Sequence, residues 1–267
     1  MIRILAVVAG VSVCLVAALW LAQRRLIYLP ERDLTATPSE AMVTTVETSD
    51  GITHRVWVVP ATGRAMARVV VFNGNAGNMS HRVALARSLA AERMEVLLFD
   101  YRGYGDTDGT PSEEGLLIDA EAVATLAFDA TLPVVYLGES LGAGVATALA
   151  RRTLPDALVL RSPFTSLADV ASAHYPLVPT VLLRDRYPVE ETVRTLEAPL
   201  LVVLGTADSI VPPEQSRRVY EAAPGPKTLV EMEGLDHNDP GLSSGPDLAR
   251  EVRVIVEQAT GERSPSG

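Results

Sequence analysis

The chain alternates between short, almost wholly apolar runs and longer stretches whose apolar residues recur at helical spacing. Val69–Phe72, Glu95–Phe99, Val134–Leu137, Ala157–Leu160, Pro199–Leu204 and Thr228–Met232 are such runs. Their Val and Leu content predicts strands, most of them buried on both faces. Amphipathic helices are expected over about Ser80 to Arg93, on the Leu116, Ala120, Val123, Ala127 face, from near Pro213-Glu214, and over Asp247 to Gln258. Val43–Thr48 and Ile52–Val59 partly alternate, and Asp50-Gly51 between them predicts a hairpin turn. Thr110-Pro111-Ser112-Glu113 reads as a capping box with Pro at the first helical position. His174 to Pro188 is Pro-interrupted and has no clear period, which suits a small lid inserted in the sheet order. The alternation predicts an α/β domain over 41–260: a mostly parallel sheet with helices on both faces.

Ahead of that domain, Ile4 to Ala22 carries no charge and is almost wholly apolar. As a helix it would span roughly 28 Å, about one hydrocarbon core. Trp20, Arg24, Arg25 and Tyr28 follow as interface anchors would. The competing reading is a cleaved signal peptide, but the run is long and no good Ala-x-Ala site precedes Gln23. The expectation is a single-pass membrane anchor over 1–25, its orientation open because Arg residues flank both ends. A connector over 26–40 and a disordered tail over 261–267 complete the division.

Composition narrows the partners. A net charge of −10 argues against a nucleic-acid surface, which needs clustered Lys and Arg. The single Cys14 lies in the apolar segment, so neither a disulfide framework nor a cysteine metal site is expected. Nothing in the chain asks for a cofactor. The expected partner is a small-molecule or acylated substrate, with the membrane contacted through the N-terminal helix.

The chemistry gathers where predicted strands end. Val134–Leu137 runs into Gly138-Glu139-Ser140-Leu141-Gly142 and then into helix formers. A serine on a strand–turn–helix junction is a nucleophile elbow, its Oγ raised above the sheet. The alternative is an ordinary N-cap serine. A serine needs a base, and the base needs a carboxylate to orient it. Of the four histidines, His54 lies in the hairpin, His81 at a helix start and His174 in the expected lid. His237 lies just after the last strand. Asp208 follows the Pro199–Leu204 strand; Asp236 and Asp239 are rivals by proximity. Ser140, Asp208 and His237 fall in the chain order expected of α/β-hydrolases. The oxyanion donors would be the N–H groups of Leu141 and of Asn75 in the loop after Val69–Phe72. A P-loop reading of Asn73–Asn78 fails for want of a following Lys-Ser/Thr.

At these residues the chain resembles the membrane-anchored α/β-hydrolases of the serine aminopeptidase-like family. The matching pieces are Arg24–Pro30, Gly74-Asn75-Ala76-Gly77-Asn78, Asp100-Tyr101-Arg102-Gly103-Tyr104-Gly105, Gly109–Gly115, Gly138–Gly142, Ser162–Leu167, Gly205–Asp208 and His237-Asn238-Asp239. The resemblance covers nearly the whole chain and implies hydrolysis of an acyl bond through an acyl-serine. Asn73 departs from it, since the family usually has His there. That residue is expected to brace the oxyanion loop.

The leading reading is a membrane-tethered serine hydrolase of carboxylic esters or thioesters. Two alternatives are a catalytically silent binding module and an aminopeptidase. The aminopeptidase would need Glu139 or a lid carboxylate to hold the substrate amine.

Overall fold

The computed structural model describes residues 2–128, 131–176 and 179–261. The chain opens with helix α1 (Ile2–Ile27) and a short strand β1 (Leu29–Pro30). The hairpin follows as β2 (Met42–Glu47) and β3 (Thr53–Val59), turning at Gly51 with φ 85°. Next come β4 (Ala67–Phe72), β5 (Ala76–Gly77), α2 (Val83–Ala91), β6 (Met94–Phe99), α3 (Glu113–Phe128), β7 (Val134–Glu139) and α4 (Leu141–Ala150). The C-terminal part runs β8 (Ala157–Arg161), α5 (Leu167–His174), α6 (Val189–Val193), β9 (Leu200–Gly205), α7 (Pro213–Ala222), β10 (Lys227–Met232), α8 (Pro240–Ser243) and α9 (Pro246–Thr260).

Eight strands form one sheet in the order β10-β9-β8-β7-β4-β6-β3-β2. The β2–β3 and β3–β6 pairs are antiparallel and the other pairs are parallel. This is the mostly parallel sheet expected from the apolar runs, in the α/β-hydrolase arrangement that the resemblance implied. Val69, Val70, Val71 and Phe72 are all fully buried because helices cover both faces of β4. Two apolar cores result. Tyr136, Leu160 and Val202 point into one, and Val135, Val159 and Val203 into the other.

Chain order reverses at β4, whose neighbours are β7 and β6, and crevices form at such switch points. Phe72 pairs with Gly138, Glu139 with Arg161, and Arg161 with Val203, so these carboxyl ends are level.

Several boundaries differ from the sequence expectation, each for a local reason. The segment from Ser80 begins with a 3-10 turn over Met79–Arg82, capped by the Asn78 side chain. Its α-helix ends before Arg93, which turns at φ 65°. The cap of α3 lies two residues later than the Thr110 box: Ser112 Oγ accepts the Gly115 N–H at 3.0 Å. Glu113 is thereby freed to accept the Tyr187 N–H at 2.9 Å and the Arg186 N–H at 2.5 Å.

The expected lid is stitched down at its C-terminal end. Asp185 and Tyr187 are buried, and Asp185 takes both an Arg24 fork at 2.9 Å and the Tyr28 hydroxyl at 3.1 Å. Leu177 and Val178 of that stretch lie outside the described residues, as does 262–267 of the expected tail. Among the described residues no helix is long and apolar enough to cross a membrane, so the single-pass anchor expected over 1–25 is not supported as a membrane span. Several side chains within α1 fall outside that description.

The tightest steric constraint is at Gly142. A Cβ there would be driven into the carbonyl groups of Phe72 and Asn73, because the first turn of α4 sits directly on the end of β4. Gly142→Val is therefore expected to cost about 3 kcal/mol, the upper end for overpacking. Chemical denaturation measures it, and an unchanged midpoint would contradict the close approach.

Candidate active site

Ser140 occupies the junction of β7 and α4 with φ 52° and ψ −112°. A non-glycine residue pays roughly 1–3 kcal/mol for such a backbone, and functional sites are where this strain accumulates. Its N–H is held by the Arg161 carbonyl at 2.9 Å, and its carbonyl accepts the Ala143 N–H at 2.9 Å. The turn is thus fixed from both sides, with the residue 9% exposed.

Asp208 lies just past β9, and His237 in the loop after β10. His237 Nδ1 is 2.7 Å from Asp208 Oδ2, and both residues are buried. The other Asp208 oxygen accepts the N–H groups of Ile210 at 3.0 Å and Val211 at 2.8 Å. Burial opposes the Asp208 charge, but the His237 hydrogen bond and charge and the Val211 N–H outweigh it. The carboxyl is held below its usual range. An ionised Asp208 accepting at Nδ1 leaves Nε2 as the nitrogen free for proton transfer.

The two rival carboxylates are engaged elsewhere. Asp236 accepts the backbone N–H of Ser209 at 2.7 Å and that of His237 at 2.7 Å, while Asp239 accepts the Asp236 N–H at 2.7 Å. The other histidines are also occupied. Buried His54 sits 2.9 Å from the Asp100 carbonyl, His81 is 3.4 Å from Glu31, and His174 is 2.7 Å from the Ile210 carbonyl.

The loop after β4 reaches the elbow. A Cβ built on Gly74 would stand 3.9 Å from Ser140 Cβ. Leu141 opens α4, so its N–H has no intrahelical partner behind it. The Asn75 side chain donates to the Ile27 carbonyl at 2.9 Å, and its own carbonyl accepts from Leu29 N–H at 2.8 Å and Tyr104 Oη at 2.7 Å. Asn73 donates from Nδ2 to the Phe99 carbonyl at 2.8 Å, so an amide braces the loop where the family's histidine was expected.

Asp100 ties the far end of that loop, its Oδ1 accepting the Met79 N–H at 2.7 Å. Its Oδ2 is buried without a partner, and burial pushes its carboxyl up to about 7. A raised carboxylate pKa favours the protonated fold. Stability from this group therefore falls as pH rises from the unfolded value near ~4 to about 7, and is level above. In Asp100→Asn that dependence disappears. The variant's Tm relative to wild type should rise by roughly 5 °C between pH 5 and pH 8; parallel Tm–pH curves would refute the assignment.

Sequence reasoning missed the partners of Glu139. This carboxylate is fully buried between Arg82 and Arg161. Two flanking guanidiniums overcome its burial and hold it below the usual carboxylate range. Both its oxygens are taken by guanidiniums, and Asp185 is equally committed to Arg24 and Tyr28, so neither carboxylate is free to hold the substrate amine that the aminopeptidase reading needs. The available signal was Arg161 itself, a charge closing an otherwise apolar strand. Two further clefts, about 210 Å³ beside Asp169 and about 340 Å³ beside Leu117, are not lined by Ser140, Asp208 or His237.

Known proteins agree with this architecture. The family model described as "Serine aminopeptidase, S33" matches residues 63–193. The protein Rv2307c of Mycobacterium tuberculosis is 44% identical over 265 residues, covering 96% of this chain and 94% of that one. The lysophosphatidylserine lipase ABHD12 of Macaca fascicularis is 36% identical over 239 residues, which are 78% of this chain and 60% of the lipase. Among solved structures, the Pyrococcus furiosus esterase Pf2001 superposes with a TM-score of 0.69 at 18% identity, over 87% of this chain and 98% of the esterase. The long alignments to curated relatives and the shared sheet place this chain in the α/β-hydrolase family.

Proposed function

We propose that the protein is a serine hydrolase that cleaves carboxylic ester or thioester bonds through an acyl-serine intermediate. The observation that carries the proposal is the buried Asp208–His237 hydrogen bond, on loops that leave the same sheet edge as the strained Ser140 elbow. His237 Nε2 takes the Ser140 proton as Oγ attacks the acyl carbon. The tetrahedral oxyanion is received by the N–H groups of Leu141 and Asn75. On collapse the C–O or C–S bond breaks, and the His237 proton goes to the leaving alcohol or thiol. Water then repeats the sequence against the acyl-serine and releases the acid. No metal or cofactor is required by these steps.

The tether belongs to the same proposal: α1 holds the domain at a membrane. Its apolar run supports this, as does Arg25 in its last turn. The lipase named among the relatives supports a lipid-like acyl ester as substrate. The test is fluorophosphonate labelling of the full chain in detergent. Wild type should label at Ser140 and lose the label on denaturation. A folded protein that does not label would rule the proposal out. Hydrolysis of short p-nitrophenyl esters that depends on His237 would exclude a silent binding module.

A further inference from the structure

We infer that Glu139, with Arg161 and Arg82, is a positioning cluster that holds the three parts of the site in register. The inference rests on the serine-hydrolase reading of Ser140 and His237. Glu139 immediately precedes the nucleophile, and its side chain points into the protein, fully buried. On the neighbouring strand its register partner is Arg161, so the two share one face of the sheet.

Arg161 makes two contacts that lead in opposite directions. Its Nε donates to Glu139 Oε1 at 3.2 Å, and its Nη1 donates to the His237 carbonyl at 2.8 Å. Its own carbonyl receives the Ser140 N–H at 2.9 Å. One residue therefore touches the backbone of both the nucleophile and the base. The second oxygen of Glu139 accepts from Arg82 Nε. Arg82 closes the 3-10 turn that follows the Asn73–Asn78 loop, and a Cβ on Gly74 would stand 3.7 Å from its Nη2. Elbow, oxyanion loop and histidine loop thus meet at one carboxylate.

Stability alone gives little reason for this arrangement. A buried ion pair often contributes no more than well-packed apolar residues of the same volume. Its value lies in geometry. Asp208 fixes the His237 ring, but the ring's height above the sheet depends on the loop backbone, and Arg161 grips that backbone. A displacement of about 1 Å in such a group can cost on the order of 10²-fold in rate. Lys at position 161 carries one nitrogen and cannot bond Glu139 and the His237 carbonyl in the same fork geometry.

The experiment uses the full chain in detergent, with p-nitrophenyl butyrate as probe. Arg161→Met is expected to lower kcat about 10²-fold with KM within about threefold. Arg161→Lys recovers part of that loss, and Arg82→Met, on the more exposed partner, lowers kcat by about tenfold. Combined with Glu139→Gln, Arg161→Met costs less than the product of the two single losses, because both disable one unit. The inference is overturned if Arg161 variants that melt with wild type keep wild-type kcat, or if the loss appears in KM. Should Arg161→Met fail to fold, the Arg161→Lys and Arg82→Met kcat values decide alone, and wild-type kcat in both overturns it. Wild type that neither labels with fluorophosphonate nor turns over ester defeats the underlying reading instead.

Discussion

Ser140→Ala should remove ester hydrolysis almost entirely, by roughly 10⁶-fold in kcat, while leaving the protein folded. The alanine replaces one hydroxyl on a turn whose backbone is held by the Arg161 carbonyl and the Ala143 N–H. No hydrogen bond that supports the fold is lost. What disappears is the atom proposed to attack. A residual rate of about 10³–10⁴ over water is still expected, from the oxyanion donors and substrate binding. The measurement is kcat on p-nitrophenyl butyrate beside a thermal melt. A folded Ser140→Ala protein that retains more than a few per cent of wild-type kcat would place the nucleophile elsewhere.

The second large effect is at Asp208. Asp208→Asn should lower kcat by on the order of 10⁴-fold with little change in KM. The amide oxygen of Asn could keep the Ile210 and Val211 N–H bonds. Its NH2 would then face His237 Nδ1 and favour the wrong tautomer, with the proton on Nε2. The base is then blocked, although every backbone contact survives. This distinguishes Asp208 from a turn aspartate, for which Asn is a near-neutral exchange. Asp236→Asn serves as the contrast. Asp236 holds the backbone N–H groups of Ser209 and His237, while the imidazole Nδ1 is held by Asp208, so its effect should be far smaller. Equal losses at the two positions would refute the assignment.

The sheet was legible because its inner strands are apolar on both faces, a pattern that a mostly parallel sheet requires. Each expected strand from Val69 onward lies within a residue or two of its observed bounds. Ser140, Asp208 and His237 could be named because each follows such a strand, and the sheet order then brings their loops to one edge. Contacts between distant segments were not legible. Nothing local in Glu139 says that it is neutralised by Arg82, far away in sequence, and by Arg161 on the next strand. Likewise the stretch up to Pro188 looked loose because its prolines break periodicity. Its C-terminal end is held by Asp185 and Tyr187 meeting Arg24, Tyr28 and Glu113. Pairings of that kind depend on geometry that only the folded chain supplies.

The small ladder between β1 and β5 has a practical consequence for anyone producing the protein without its apolar leader. Leu29 and Glu31 donate to the carbonyls of Asn75 and Gly77, so the segment leaving α1 forms one edge of the loop proposed to receive the oxyanion. Just upstream, Gln23 and Arg24 clasp Arg184 and Asp185. A truncation placed after Glu31 would look harmless on a hydropathy plot, yet it would strip both braces from the domain. One that begins at Trp20 retains them. The packed unit therefore reaches into the helix, and any shortened fragment would first have to be checked for where it was cut.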